Sequence, residues 1–359
     1  MKAAVCHAFG EPLVIEEVNL RAPQAGEVQV AIRACAICHS DILYAQGAWG
    51  GTLPAVFGHE AAGHICGLGE GVTGYAIGDT VLATLIHSCG HCVSCREGQP
   101  ARCETSVDRD RGPLTTADGG VLSQGLQTAA FAEKTVVDQS QIVKIPADIP
   151  LDAACLLSCG VITGVGAATN SANVRPGSSV VVIGAGGVGL NAIQGAAICG
   201  AASIIAVDLA QDKLDAAMEF GATHGILASA GKPHRLVKQL TNGRGADYVL
   251  VTVGVAQAYQ EAPRYLCRGG MMVMVGMPPA GHSASYEPTN VASAGHTFRG
   301  SKMGDAVLWR DIPYLVDLYK QGRLKLDELV TRRYRLEEIN EAIADTVAGN
   351  ARRNVIMFD

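Results

Sequence analysis

Positive charge is scarce along these 359 residues: 28 Lys and Arg stand against 34 Asp and Glu, for a net charge of −6. Binding nucleic acid requires Lys and Arg gathered on one surface. The densest basic spots are the pairs Arg332-Arg333 and Arg352-Arg353, so nucleic acid is excluded as a main partner. Long apolar runs are missing too. The least polar stretch, about 153–168, is broken by Gly, Ser, Thr and Cys and is too short to span a bilayer. It reads as buried core, and no membrane partner is expected. A signal-peptide core is absent, since the first apolar residues stop at His7 and acids follow at Glu11, Glu16 and Glu17. The expected compartment is the cytoplasm, where twelve cysteines read as metal ligands and reduced thiols, not disulfides. Internal repeats and low-complexity tracts are lacking. What remains, 48% hydrophobic and 17% charged, describes a folded chain long enough for two domains.

The texture changes partway along. Val28, Val30 and Ile32 alternate with Gln29, Ala31 and Arg33, the period of a half-buried strand. Further short strands are predicted near 2–6, 61–66, 80–84 and 131–137, with dense Pro and Gly between them, so the first domain is mainly β. After about residue 160 strands and helices alternate. Strands are predicted at 180–183, 203–208, 248–252 and 271–275, and helices at 188–199, 211–220 and 257–266, with Gly221 as a C-terminal stop. That order predicts a doubly wound parallel sheet. From about 301 the pattern becomes two helices (312–321 and 336–348) and a last strand (354–358). The division read from this is 1–160, 161–300 and a segment 301–359 returning to the first domain.

Three constellations carry chemistry. Cys89, Cys92, Cys95 and Cys103 follow C-x2-C-x2-C-x7-C, a spacing that closes four thiolates around one Zn²⁺ with no position left for substrate. His87 and His91 nearby read as solvated loop residues. A dispersed set, Cys38, His59 and Cys159, has the composition of an open, catalytic zinc site. Each member alone is also compatible with a structural histidine or a core thiol. The third is Gly184-Ala185-Gly186-Gly187-Val188-Gly189, which follows an apolar strand and opens a helix. Gly184 permits the tight turn, Gly186 lets backbone approach a pyrophosphate, and Gly189 allows close helix–strand contact. The Gly187-Val188 amides would face the phosphates at the helix N-terminus. Asp208, at the end of the next strand, can accept both ribose hydroxyls and would repel a 2′-phosphate; NAD is favoured over NADP.

Taken in order, Cys-His-Ser-Asp (38–41), Gly-His-Glu (58–60), the four cysteines, Ser-Cys-Gly (158–160), the glycine loop and Val-Gly-Met-Pro-Pro (275–279) resemble the zinc-dependent medium-chain dehydrogenase/reductase family, in its alcohol dehydrogenase branch. The resemblance covers nearly the whole chain. It implies a GroES-like catalytic domain beside a Rossmann α/β domain, two Zn²⁺ per chain, and hydride transfer between an alcohol and NAD. By the same resemblance Cys38, His59 and Cys159 bind catalytic zinc, Glu60 is a possible transient ligand, and Asp41 orients His59. Ser40 would take the alcohol proton, and Leu43 stands where many relatives place a relay histidine. Lys213 would reach the ribose, His39 and Arg353 the pyrophosphate, and Val275 the nicotinamide, although Arg353 also reads as a solvated charge. Trp49 is either a narrow pocket wall or a core or interface residue. Simple primary alcohols are the expected substrates. Two alternatives stand beside them: a formaldehyde–thiol adduct, for which Arg109 and Arg111 offer cationic anchors, or nucleotide binding without catalysis. A homodimer or homotetramer is implied, joined through a sheet edge near 271–275.

Overall fold

A computed structural model of the chain describes residues 1–105, 112–229 and 231–359; Arg109 and Arg111 lie outside them. It divides into one unit built from Met1–Cys159 with Val307–Asp359 and a second from Gly160–Ala306.

The first unit is built around antiparallel strands. Lys2–Cys6, Val14–Leu20, Leu114–Thr116, Val121–Gln124 and Ala55–Val56 close into a small barrel. Beside it runs a sheet in the order Ile142–Lys144, Thr80–Ala83, Glu60–Leu68, Glu27–Ala36, Arg353–Met357, Val330–Arg335, with Lys134–Asp138 also paired to Glu27–Ala36. Glu27–Ala36 carries the alternation read from its sequence: Val28, Val30 and Ile32 are buried and their neighbours half-exposed. Its last residues, Ala34, Cys35 and Ala36, are buried on both faces as the chain enters Cys38. Sheet formation starts later than predicted in one segment. Ala130 and Phe131 donate instead to Gly58 and Phe57, and Glu133 to Lys2, so regular pairing begins only at Lys134.

The second unit is the doubly wound sheet. Its strands lie in the order His224–Leu227, Ser203–Asp208, Ser179–Ile183, Ala246–Val251, Leu266–Met274, Thr297–Gly300, all parallel. In chain order this is 3-2-1-4-5-6, whose reversal between the first and fourth strands opens a crevice at the strands' carboxyl ends. Val180 to Val182 and Ile204 to Ala206 are almost wholly buried because helices such as Gly187–Ile198 and Gln211–Glu219 cover both faces. Gly221, at φ +108, ends the second of these. The helix predicted over 257–266 stops at Glu261 and tightens into a 3-10 turn, Ala262–Tyr265, where Pro263 has no N–H to continue an α-helix. One expectation is corrected. The strand at 271–275 is not an edge: Leu266–Met274 pairs with Ala246–Val251 on one side and Thr297–Gly300 on the other, and the edge on that side of the sheet belongs to Thr297–Gly300. Residues 153–168 are core, and no single helix among the described residues is long and apolar enough to cross a membrane.

Candidate active site

Three local folds bring the dispersed ligands together in the first unit. Cys38 is the N-cap of the helix His39–Ala45. His59 follows Gly58, whose φ of +93 and whose absent Cβ, which would lie 2.6 Å from the Phe131 nitrogen, leave room only for glycine. Cys159 ends the 3-10 turn Cys155–Ser158, pinned to the neighbouring strand by a 2.9 Å bond from the Ser158 hydroxyl to the Ala61 carbonyl. The outcome is a cluster in which Cys38, His59, Glu60 and Cys159 each offer a ligand atom within 4.8 Å of the others, all buried.

Asp41 organises this cluster. Its Oδ1 accepts from His59 Nδ1 at 3.0 Å and from the Gly58 amide at 2.9 Å, and its Oδ2 from the Cys38 amide at 3.3 Å. The ring is thereby held with Nδ1 toward the carboxylate and Nε2 toward the cluster. His59 Nε2 and both Glu60 carboxylate oxygens are buried with no hydrogen-bond partner. A protein seldom leaves such atoms unsatisfied, and a divalent cation among two sulfurs and an imidazole would satisfy the nitrogen, so the residues fit zinc. Proton affinities agree. The Cys159 thiol, followed by His59, holds Cys38 well below the usual thiol range despite burial. Cys159 is pushed well above that range by Cys38 and by burial. Burial works against a charged His59, but Asp41 and Cys38 outweigh it and lift its pKa well above the ordinary value. Burial raises Glu60 to about 7, against the pull of Arg353, whose guanidinium lies 3.6 Å away. Arg353 is only 5% exposed, which rules out the solvated-charge reading.

The four-cysteine loop forms a second cluster, with Cys89, Cys92, Cys95 and Cys103 sulfurs within 4.8 Å of one another. Cys89 and Cys95 sulfurs are 4.0 Å apart, close to the roughly 3.8 Å expected across a tetrahedron of Zn–S bonds of about 2.3 Å. Amides of Cys89, Cys92, Cys95 and Glu104 point at sulfurs from 3.3 to 3.5 Å, an arrangement that suits thiolates. Cys89 is held down to about 5, first by the Thr105 hydroxyl and then by backbone donors. His91 bonds the Cys89 carbonyl and His87 lies on the incoming strand's loop; neither joins the sulfur cluster.

In the second unit the glycine loop leaves Ile183 at the reversal of strand order. Gly184 has φ +92, and a Cβ on Gly189 would meet the Gly184 carbonyl at 1.8 Å. Gly186, by contrast, faces open space and caps Gly187–Ile198 with no side-chain acceptor, leaving the amides at Gly187 and Val188 uncapped by any side chain. A cradle that a Cβ would fill, at a helix N-terminus, fits a pyrophosphate. Asp208 is fixed in place: Oδ2 accepts from the Ala185 amide at 2.7 Å and Oδ1 from Leu209 and Ala210 at 2.7 and 3.2 Å. Lys213 lies half-buried on the following helix. Val275 is buried and its amide donates to Val251 at 3.0 Å. One contributor escaped the sequence. The Thr252 hydroxyl donates to the Gly184 carbonyl at 2.7 Å and braces the loop from the fourth strand; its only signal was its position just past the apolar run ending at Val251.

The remaining predicted residues sit on or beside His39–Ala45. His39 is exposed, Ser40 half-buried two residues beyond Cys38, and Leu43 half-buried one turn further on. Trp49 is half-buried, its ring edge-on to Tyr44 at 5.1 Å.

Comparison with known proteins places this geometry. Residues 24–147 match the alcohol dehydrogenase GroES-like domain and residues 187–321 the zinc-binding dehydrogenase family. The chain is 38% identical to an NDMA-dependent alcohol dehydrogenase of Amycolatopsis methanolica, covering 99% of this chain and 98% of the relative. It is 34% identical to an S-(hydroxymethyl)glutathione dehydrogenase of Paracoccus denitrificans, with 99% of each covered. Its fold superimposes on benzyl alcohol dehydrogenase of Acinetobacter calcoaceticus with a TM-score of 0.94 at 32% identity, covering 100% of this chain and 99% of that one. The chain belongs to the zinc-dependent medium-chain dehydrogenase/reductase family, in its alcohol dehydrogenase branch.

Proposed function

We propose that this protein is an NAD-dependent dehydrogenase of primary alcohols, holding one Zn²⁺ at Cys38, His59 and Cys159 and a second at Cys89, Cys92, Cys95 and Cys103. The observation that carries this reading is the buried, unpartnered Nε2 of His59, grouped with two sulfurs while its Nδ1 is tied to Asp41. When bound, zinc supplies the Lewis acidity that makes an alcohol hydroxyl acidic near neutral pH, and nicotinamide supplies a hydride acceptor. The chain's residues do the rest. Asp41 fixes the His59 tautomer, and Glu60, neutral or charged about pH 7, is the residue able to approach or leave the cluster. Ser40 takes the hydroxyl proton; with Leu43 one turn on, that proton leaves by His39 or water and not by a relay histidine. Gly184, Gly186 and Gly189 bring backbone to the pyrophosphate, His39 and Arg353 carry charge for it, Asp208 and Lys213 hold the adenosine ribose, and Val275 bounds the nicotinamide.

Metal analysis with a substrate panel tests the proposal. Zinc at about two per chain and NADH formed from simple alcohols support it. Turnover only of formaldehyde with a thiol would favour the activity named in the Paracoccus relative, and tight NAD binding without turnover of any alcohol would favour a non-catalytic role. NADP used in preference to NAD would remove Asp208 as the selecting residue. We further propose a cytoplasmic homodimer or homotetramer, joined through the free edge of Thr297–Gly300.

A further inference from the structure

The four-cysteine loop contributes no residue to the catalytic cluster, yet a set of hydrogen bonds in the first unit leads from one toward the other, and the Gln141 side chain lies at its middle. Gln141 ends the 3-10 turn Gln139–Gln141 and is 3% exposed. Its Nε2 donates to two backbone carbonyls, Thr84 and Gln127, each at 2.9 Å, while its Oε1 accepts from the Asp138 amide at 3.3 Å.

On one side this amide grips the root of the cysteine loop. Thr84 donates back to the Gln141 carbonyl at 3.0 Å, and the Ser88 amide donates to the Ser140 hydroxyl at 3.0 Å. The Ser88 hydroxyl lies 3.4 Å from the Cys95 sulfur, and Cys89 follows directly. On the other side it grips a segment in an unusual conformation. Leu126, Gln127 and Ala129 have φ of +50, +58 and +55, a left-handed region that non-glycine residues hold only when their surroundings impose it. That segment backs onto Phe57 and Gly58, which lead directly into His59. A Cβ on Gly125 would sit 2.4 Å from the Phe57 ring, and the Ala130 and Phe131 amides donate to the Gly58 and Phe57 carbonyls at 2.9 Å. Gly58 in turn donates to Asp41, which holds His59.

We propose that Gln141 is a positioning residue that imposes the order of the metal-filled cysteine loop on segment 125–131, and through it on Gly58 and His59. The inference rests on the closed-metal reading of the cysteine loop.

Hydrogen exchange on the full-length, zinc-loaded protein tests it. Gln141→Met keeps the volume and removes both donors. Amides of 125–131 should exchange about tenfold faster or more, those of strand Ala246–Val251 should not change, and kcat/KM should fall severalfold with zinc content intact. Emptying the cysteine loop of metal in the wild type should speed exchange in 125–131 likewise, and should add nothing in Gln141→Met. Unchanged exchange of 125–131 in the variant would overturn the proposal, as would metal removal that loosens the segment equally in both proteins. Should Gln141→Met fail to fold, the wild-type result decides: 125–131 must loosen when the cysteine loop is emptied. Metal content measured on the wild type separates failure of the clamp from failure of the zinc reading, since the variant's exchange behaviour stands without it.

Discussion

Filling the catalytic cluster with zinc should release about two protons, and Asp41→Asn should bring that number toward one. Without metal, the buried cluster holds protonated His59 and Arg353 against the Cys38 thiolate and the Asp41 carboxylate, with Cys159 keeping its proton. The positive charges on His59 and Arg353 face the negative ones on Cys38 and Asp41, joined above about pH 7 by Glu60, so the buried charges are paired with opposite ones. Zinc needs a neutral imidazole and two thiolates, so a dication enters as the protons of His59 and Cys159 leave and the buried charge is conserved. Removing the Asp41 charge takes away the main attraction that lifts His59, so its ring returns toward the ordinary value and is largely neutral before zinc arrives. The same change turns one acceptor into an NH2 group facing the Cys38 or Gly58 amide. Loss of such an outer partner weakens metal binding about 10- to 100-fold, or about 1.4 to 2.7 kcal/mol. The assay is calorimetric zinc titration, in two buffers of different ionisation enthalpy, of protein whose cysteine loop is already filled. At pH 8 Glu60, raised only to about 7, contributes little. Release near zero in the wild type, or release and affinity unchanged in Asp41→Asn, would refute the charge accounting.

The glycine loop separates fold from ligand. Gly186→Ala should cost under about 1 kcal/mol of stability, because its Cβ meets nothing, yet weaken NAD binding more than about tenfold; Gly189→Ala, driven into the Gly184 carbonyl, should cost about 3 kcal/mol or more by thermal melting. Glu60 has a folded pKa of about 7 against an ordinary 4.5, so the metal-free protein loses stability as pH rises between those values. In that form Glu60→Gln should gain on the order of 3 kcal/mol relative to wild type between pH 4.5 and pH 8, and a pH-independent difference in urea melts would show Glu60 to be ordinary. Ser40→Ala should keep its zinc and lose most turnover; near-normal kcat would remove Ser40 from proton transfer.

How much of this was legible in the sequence depended on whether the signal was local. The four cysteines, the strand–glycine–helix passage at 180–198 and Asp208 announce themselves because spacing along the chain and spacing in the fold coincide there. Four of the six strands of the doubly wound sheet are legible for the same reason, residues 180–183 and 204–207 being apolar throughout because both faces are covered, whereas the edge strands His224–Leu227 and Thr297–Gly300 and the start of Leu266–Met274 are not. Non-local facts did not announce themselves. Leu266–Met274 looked like an edge because Thr297–Gly300, which covers it, has one half-buried side chain and no apolar period. Cys38, His59 and Cys159 were individually ambiguous, and only their order in the chain tied them together.

Arg353 shows why such ambiguity is physical. A charged residue near the end of a chain reads as solvated, since burying a lone guanidinium costs far more than one side chain returns. The fold buries it nonetheless by pairing Arg353–Met357 with Glu27–Ala36, the strand that delivers Cys38 and whose Ala36 faces Glu60. The cost is offset by Glu60 and by the thiolate character of Cys38, residues more than 290 positions away in sequence. A buried cation is therefore legible only once it is known which anions the fold brings to it, and those anions, in this protein, belong to the cluster proposed to hold a metal.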